Sequence, residues 1–241
     1  HCMFKPAGMN ASSLFDALPE RIRDAVARGT NAAPGVKAKL DEENFDERKI
    51  ICLGASTGGV DALVTVLRLF PRNCPPTLIV QHMPHKFIPL FAQRLNTVCP
   101  PSVAVATTGA EIRPGRVLVA PAGQHLRLSR RNPGVCMVED RPAVNGFKPS
   151  VDVLFHSAAD IMGEATVAAL LTGMGRDGAD GLLAIRRSGG VTFAQDEATS
   201  VVWGMPRVAA EIGAVDRPLP LGKIAGAVLN ACRAAAVQKS A

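Results

Sequence analysis

Three kinds of residue in this chain stand where acyl-transfer chemistry could use them: Ser56, His82, and one of two aspartates, Asp177 or Asp196. A serine hydroxyl is a weak nucleophile until a neutral imidazole takes its proton, and the other imidazole nitrogen then needs an acceptor to orient it and stabilise its charge. Ser56 sits in Gly54-Ala55-Ser56-Thr57-Gly58, a G-x-S-x-G pattern after the apolar run Ile50-Ile51-Cys52-Leu53. In a nucleophile elbow the glycines permit a sharp, crowded turn, and the hydroxyl stands exposed at the end of the sheet. Leu63, Val66, Leu67 and Phe70 then recur at helical spacing, so a helix N-terminus is expected to aim N–H groups and positive dipole at the place where an oxyanion would form. The pattern also fits a glycine-rich turn with Ser56 as a helix cap. A phosphate loop fits poorly, because there is no G-K-[ST] ending and no G-x-G-x-x-G.

The elements that would position these residues follow from patterning. Apolar β-branched runs at 50–53, 77–80, 102–107, 115–121, 166–171 and 190–194 alternate with segments of helical spacing at 59–70, 87–98, 150–162, 179–188, near Val208, and from Leu221 to about Ala236. His125-Leu126-Arg127-Leu128 and Gly134–Val138 alternate around Arg131-Asn132-Pro133 and read as a β-hairpin. Runs that are apolar throughout belong to strands covered on both faces, so the expected fold is α/β: a doubly wound, mostly parallel sheet with helices on both faces and one β-hairpin. Ligands of such sheets bind at the carboxyl ends of the strands. Ser56, His82, Asp177 and Asp196 each fall just after an expected strand, which places them along one edge.

Each candidate has a plainer role. His82 and His85 have H-x-x-H spacing, but no third ligand has comparable placement, so no metal is expected. His1 is terminal, and His125 and His156 fall in the hairpin and a helix. Spacing leaves Asp177 and Asp196 equally eligible as the imidazole's acceptor, and either would serve as a helix cap instead.

Composition narrows the function classes. Nine Phe, one Trp and no Tyr argue against stacking platforms for single-stranded nucleic acid. The net charge of +6 comes from interspersed 27 basic and 21 acidic residues, which suits acidic partners without marking a nucleic-acid binder. No apolar run approaches the roughly 20 residues of a membrane span, and no signal-peptide pattern opens the chain. Six cysteines without a C-x-x-C pattern read as reduced thiols, hence an expected cytoplasmic setting.

Residues 1–48 read differently. A segment with Leu14, Phe15, Leu18, Ile22 and Val26 on one helical face leads to Gly29-Thr30-Asn31-Ala32-Ala33-Pro34-Gly35 and a charged stretch, as the tail of one unit and a tether would. The main domain is expected over 49–238.

Five blocks in order resemble the catalytic domain of the CheB family of chemotaxis receptor methylesterases: Gly54-Ala55-Ser56-Thr57-Gly58-Gly59, Gln81-His82-Met83-Pro84, Pro149-Ser150-Val151-Asp152, Leu171 to Ala179, and Ala194-Gln195-Asp196-Glu197 through Gly204-Met205-Pro206. The resemblance covers about residues 48–238. It implies a Ser56 nucleophile, a His82 base and an Asp177 acid, and so selects between the two aspartates. It points to Thr57 and Met174 as neighbours of the oxyanion. It implies hydrolysis of methylated receptor glutamates to glutamate and methanol, deamidation of receptor glutamines, and no cofactor. The implied partners are methyl-accepting chemoreceptors, with Arg94, Arg127, Arg130, Arg131 and Arg176 as candidate contacts, and a chemotaxis histidine kinase acting through a receiver domain. Only the last receiver helix and linker are expected in 1–48, so the chain reads as a fragment of a longer protein. The order Ser-His-Asp differs from the Ser-Asp-His of α/β-hydrolases. The rival readings are a serine esterase for small esters and a non-catalytic docking module of the same fold.

Overall fold

The computed structural model describes residues 44–234. The expected receiver-domain helix at 10–28 and the tether up to residue 43 lie outside the described residues, as does everything after residue 234.

A six-stranded sheet, in spatial order β3-β4-β2-β1-β7-β8, forms the centre of the molecule, and every neighbouring pair in it is parallel. Its strands are β1 (Ile50–Ala55), β2 (Thr77–Gln81), β3 (Ser102–Val105), β4 (Arg116–Val119), β7 (Thr166–Leu170) and β8 (Val191–Ala194). The separate antiparallel hairpin pairs β5 (His125–Leu128) with β6 (Cys136–Glu139). The helices are α1 (Gly59–Leu67), α2 (Ile88–Val98), α3 (Val151–Met162), α4 (Ala179–Arg187), α5 (Met205–Glu211) and α6 (Leu221–Ala231).

The central strands β1, β2 and β7 are buried at every position because both their faces are covered, while the edge strands β3 and β8 leave Ser102 and Val191 exposed. Along β1, Ile51, Leu53 and Ala55 enter one apolar core with Leu63 and Leu67 of α1, Phe91 and Leu95 of α2, and Ile224 and Val228 of α6. Ile50 and Cys52, pointing the other way, enter a second core with Leu154 and Phe155 of α3, Leu182 and Ile185 of α4, and Leu126, Leu128 and Cys136 of the hairpin. Period-two alternation therefore feeds two cores rather than a core and solvent. This is the doubly wound architecture with a hairpin that patterning calls for.

The last helix is shorter than its periodicity suggests. It stops at Ala231, and the chain turns so that Asp46 N donates to Cys232 O at 2.9 Å and Ala234 N donates to Asn44 O at 3.2 Å. Pairing with residues 44–46 replaces another helical turn.

The chain runs from β1 through α1 to β2 on one side, and later places β7 on the other side of β1. The strand order thus reverses at β1, and ligands of such sheets bind at the carboxyl edge of that switch point.

Candidate active site

The strand ends bring the site together through the backbone. His82 N donates to Ala55 O at 3.0 Å, and Ser56 N donates to Thr172 O at 3.0 Å, so the parallel ladders run one residue past the strands. Ser56 is thereby set between the loop after β2 and the loop after β7. Gly58 has φ of 80° and caps α1, a left-handed conformation that disfavours residues with a Cβ. Gly54 has a different reason for being glycine: a Cβ there would lie 2.3 Å from Val151 Cγ1. The first glycine of the motif serves helix packing, and the second serves the turn.

Gln81, buried at the end of β2, ties the two loops further. Its Nε2 donates to Ser56 O at 2.8 Å and to His82 O at 2.9 Å. On the other side Thr172 Oγ1 donates to Thr57 O at 2.9 Å, and Gln195 Oε1 accepts from Thr172 N at 2.8 Å. Gln81 and Gln195 are buried polar residues that spacing alone did not single out; their signal is a polar residue at the end of an apolar strand.

His82 Nε2 and Asp177 Oδ2 are 2.8 Å apart, and the Asp177 side chain is fully buried. The carboxylate lies in the N-terminus of α3. Oδ1 accepts from Ser150 Oγ at 2.6 Å and Asp152 N at 3.2 Å, and Oδ2 also accepts from Val151 N at 2.7 Å. A helix N-terminus is a natural carboxylate receptor, and the block Pro149-Ser150-Val151-Asp152 builds one. Burial pushes the Asp177 carboxyl up, but hydrogen bonds from His82, Ser150 and Val151 outweigh it and hold the group below the usual carboxylate range. Burial, with the neighbouring Asp177 charge adding to it, pushes Asp152 up.

With Nε2 on Asp177, the imidazole's Nδ1 is left buried and without a partner. It is the nitrogen free to take a proton. The face of the same ring stacks on Phe147.

Asp196 goes elsewhere. Its Oδ1 accepts from Thr199 N at 3.0 Å and from Thr199 Oγ1 at 2.6 Å, closing its own turn. Geometry thus separates the two aspartates that spacing left equal. His85 opens a short 3-10 turn, and no cluster of metal-ligating side chains occurs among the described residues. Met174 is 70% exposed in the loop after β7, and Thr57 is exposed beside Ser56. Of the five arginines, Arg94, Arg127, Arg130 and Arg176 pair with Asp61, Glu139, Asp160 and Asp180, and Arg131 is exposed.

A model of the family described as CheB methylesterase matches residues 51–228. The chain belongs to that family. It is 46% identical over 239 residues to the protein-glutamate methylesterase/protein-glutamine glutaminase of Agrobacterium fabrum, spanning 95% of this chain and 68% of that one. It is 52% identical over 234 residues to a protein of the same description from Rhizobium johnstonii, spanning 95% and 67%. The crystal structure of the Thermotoga maritima CheB methylesterase catalytic domain superposes with a TM-score of 0.73 at 38% identity, over 76% of this chain and 97% of that one. The doubly wound sheet described above is accordingly a CheB catalytic-domain fold.

No helix among the described residues is long and apolar enough to cross a membrane.

Proposed function

We propose that this chain is a serine hydrolase that removes methyl groups from methylated glutamates of chemoreceptors and also deamidates receptor glutamines, with Ser56, His82 and Asp177 as its catalytic triad. The observation that carries this reading is the His82–Asp177 pair, at 2.8 Å, at the strand end next to the Ser56 elbow of a CheB-family chain.

In this mechanism Nδ1 of His82 takes the Ser56 proton as Oγ attacks the γ-carbonyl of the substrate side chain. The tetrahedral oxyanion forms near the N-terminus of α1, where dipole and free N–H groups favour negative charge. Thr57 and Met174 are its proposed neighbours. The methoxy group leaves with the proton from His82, as methanol. Water then attacks the acyl-serine, its proton passes to Nδ1 and on to Ser56 Oγ, and the product is glutamate. A glutamine substrate follows the same course with ammonia as leaving group. Asp177 holds the ring with Nε2–H toward itself and offsets the imidazolium charge. The residues present supply base, orienting acid and nucleophile, so the proposal includes no cofactor.

The remaining proposals concern context. Residues 1–48 are the end of a receiver domain and its linker, through which a chemotaxis histidine kinase would act, and residues 49–238 are the catalytic domain. The proposed setting is the cytoplasm. The test is methanol release from receptor membranes carrying methylated glutamates, with this chain and with Ser56→Ala. Release by the first alone supports the serine mechanism. Equal release by both removes Ser56 from it, and release from free small esters at matching rates favours a general esterase.

A further inference from the structure

Phe147 lies flat on the imidazole of His82, with ring centroids 4.0 Å apart and planes 4° from parallel. It belongs to neither apolar core, and its ring stacks on His82. The segment that carries it is built to hold a fixed place. Val144 and Phe147 exchange backbone hydrogen bonds of 3.1 and 2.9 Å around Asn145 (φ 53°) and Gly146 (φ 82°). Positive φ at both central residues is the tight hairpin turn that Asn-Gly favours. The turn is fastened again where Asn145 Nδ2 donates to Asp152 Oδ2 at 2.9 Å, while Asp152 Oδ1 accepts from Gly181 N at 2.7 Å. Gly123 N also donates to Lys148 O at 3.1 Å. The N-terminus of α3 therefore anchors both the carboxylate on the edge of the imidazole and the turn that covers its face.

We infer that Phe147 is a positioning residue for the proposed base: it clamps the face of His82 while Asp177 holds its edge, fixing Nδ1 toward the nucleophile. The inference rests on the reading of His82 as the base. One hydrogen bond leaves an imidazole free to tilt about that bond, and a face contact removes this freedom. Misplacement of a catalytic group by about 1 Å can cost on the order of a hundredfold in rate. A π face over the ring also favours the imidazolium formed when Ser56 loses its proton.

The experiment compares the full chain with Phe147→Leu, Phe147→Tyr and Ser56→Ala, using methanol release from methylated receptor membranes across pH. Leucine keeps an apolar cover and removes the π face. Phe147→Leu is expected to lower kcat on the order of tenfold with KM little changed. It should also move the acid limb of the rate profile to lower pH by about half a unit, since the imidazolium loses attraction. The other charged groups near this arrangement stay in both proteins: Asp177 on the ring, Asp152 beside it, His85 and Lys86 after it in the chain, and Lys148 paired with Asp140. Phe147→Tyr should restore both rate and limb. A second readout needs no turnover: ring-proton NMR signals of His82 are expected upfield in the unsubstituted chain and shifted back in Phe147→Leu.

A Phe147→Leu chain with unchanged kcat and limb, failure of tyrosine to rescue, or no upfield shift overturns the inference, even where Ser56→Ala is inactive. Full activity in Ser56→Ala instead overturns the functional reading itself.

Discussion

Ser150 Oγ donates to Asp177 Oδ1 at 2.6 Å, and the same oxygen accepts from Val153 N at 3.4 Å as the cap of α3. One hydroxyl thus starts the helix and holds the buried acid. Ser150→Ala is expected to cost about 1–2 kcal/mol at neutral pH, from the lost cap and a lost charge-assisted hydrogen bond. The pH dependence has a definite sign. Asp177 is more acidic folded than its ordinary value, so its stabilisation is complete above its unfolded value of about 4 and disappears as pH falls through the folded one. The gap between the parent chain and Ser150→Ala should therefore be smaller at about pH 3 than at about pH 7. Urea midpoints at the two pH values check it.

Val151 and Gly54 supply the second prediction. An alanine at Gly54 would meet Val151 Cγ1 at 2.3 Å and Leu170 Cδ1 at 3.0 Å. Overpacking of this kind costs about 1–3 kcal/mol. Because Val151 N donates to Asp177, any shift of α3 also moves the carboxylate on His82. Gly54→Ala should lower both stability and rate, and combination with Val151→Ala should recover part of the loss. A double-mutant cycle in urea measures the coupling, which strict additivity would contradict.

The sheet and the strand-end residues are legible in the sequence for one reason: runs apolar at every position have no exposed face, and residues just after such runs share an edge. Ser56 and His82 come from that rule. The choice of Asp177 over Asp196 does not, because it depends on Ser150 and Val151, more than twenty residues from either aspartate in the chain. Ser150 is legible as a cap, but its second bond joins distant segments. Gly54 looks like a turn residue, yet its constraint is the approach of α3. Phe147 lies in a polar stretch and has no periodicity; its available signal is the Asn145-Gly146 pair, which marks a tight turn without saying what the turn covers.

The thiols give a third prediction. Cys52, Cys74, Cys99, Cys136 and Cys232 are buried and free. Burial pushes Cys74 and Cys232 up to about 12, and pushes Cys52, Cys99 and Cys136 upward as well. Alkylation needs the thiolate and access to it. Iodoacetamide at pH 8 is expected to leave these five unmodified in the folded chain and to modify all of them in urea, read by peptide mass spectrometry. Rapid modification of any one in the folded chain would contradict its burial.

Gln81 is the joint between Ser56 and His82, since its single Nε2 serves the carbonyls of both while its Oε1 is buried without a partner. Gln81→Glu replaces the nitrogen that donates both bonds with a single oxygen facing two carbonyl oxygens. The introduced carboxyl is neutral only when protonated, and burial raises the pH at which it ionises. Its folded value then exceeds its unfolded value of about 4.3, so the variant lies nearest the parent chain in acid and loses stability as pH rises. At neutral pH the deficit should reach at least about 1–3 kcal/mol, the cost of unsatisfied buried groups. Urea midpoints of both chains at pH 5 and pH 8 test this. A deficit that stays constant with pH would mean that the carboxyl swings into water, and then the loops bearing Ser56 and His82 would be held together without position 81.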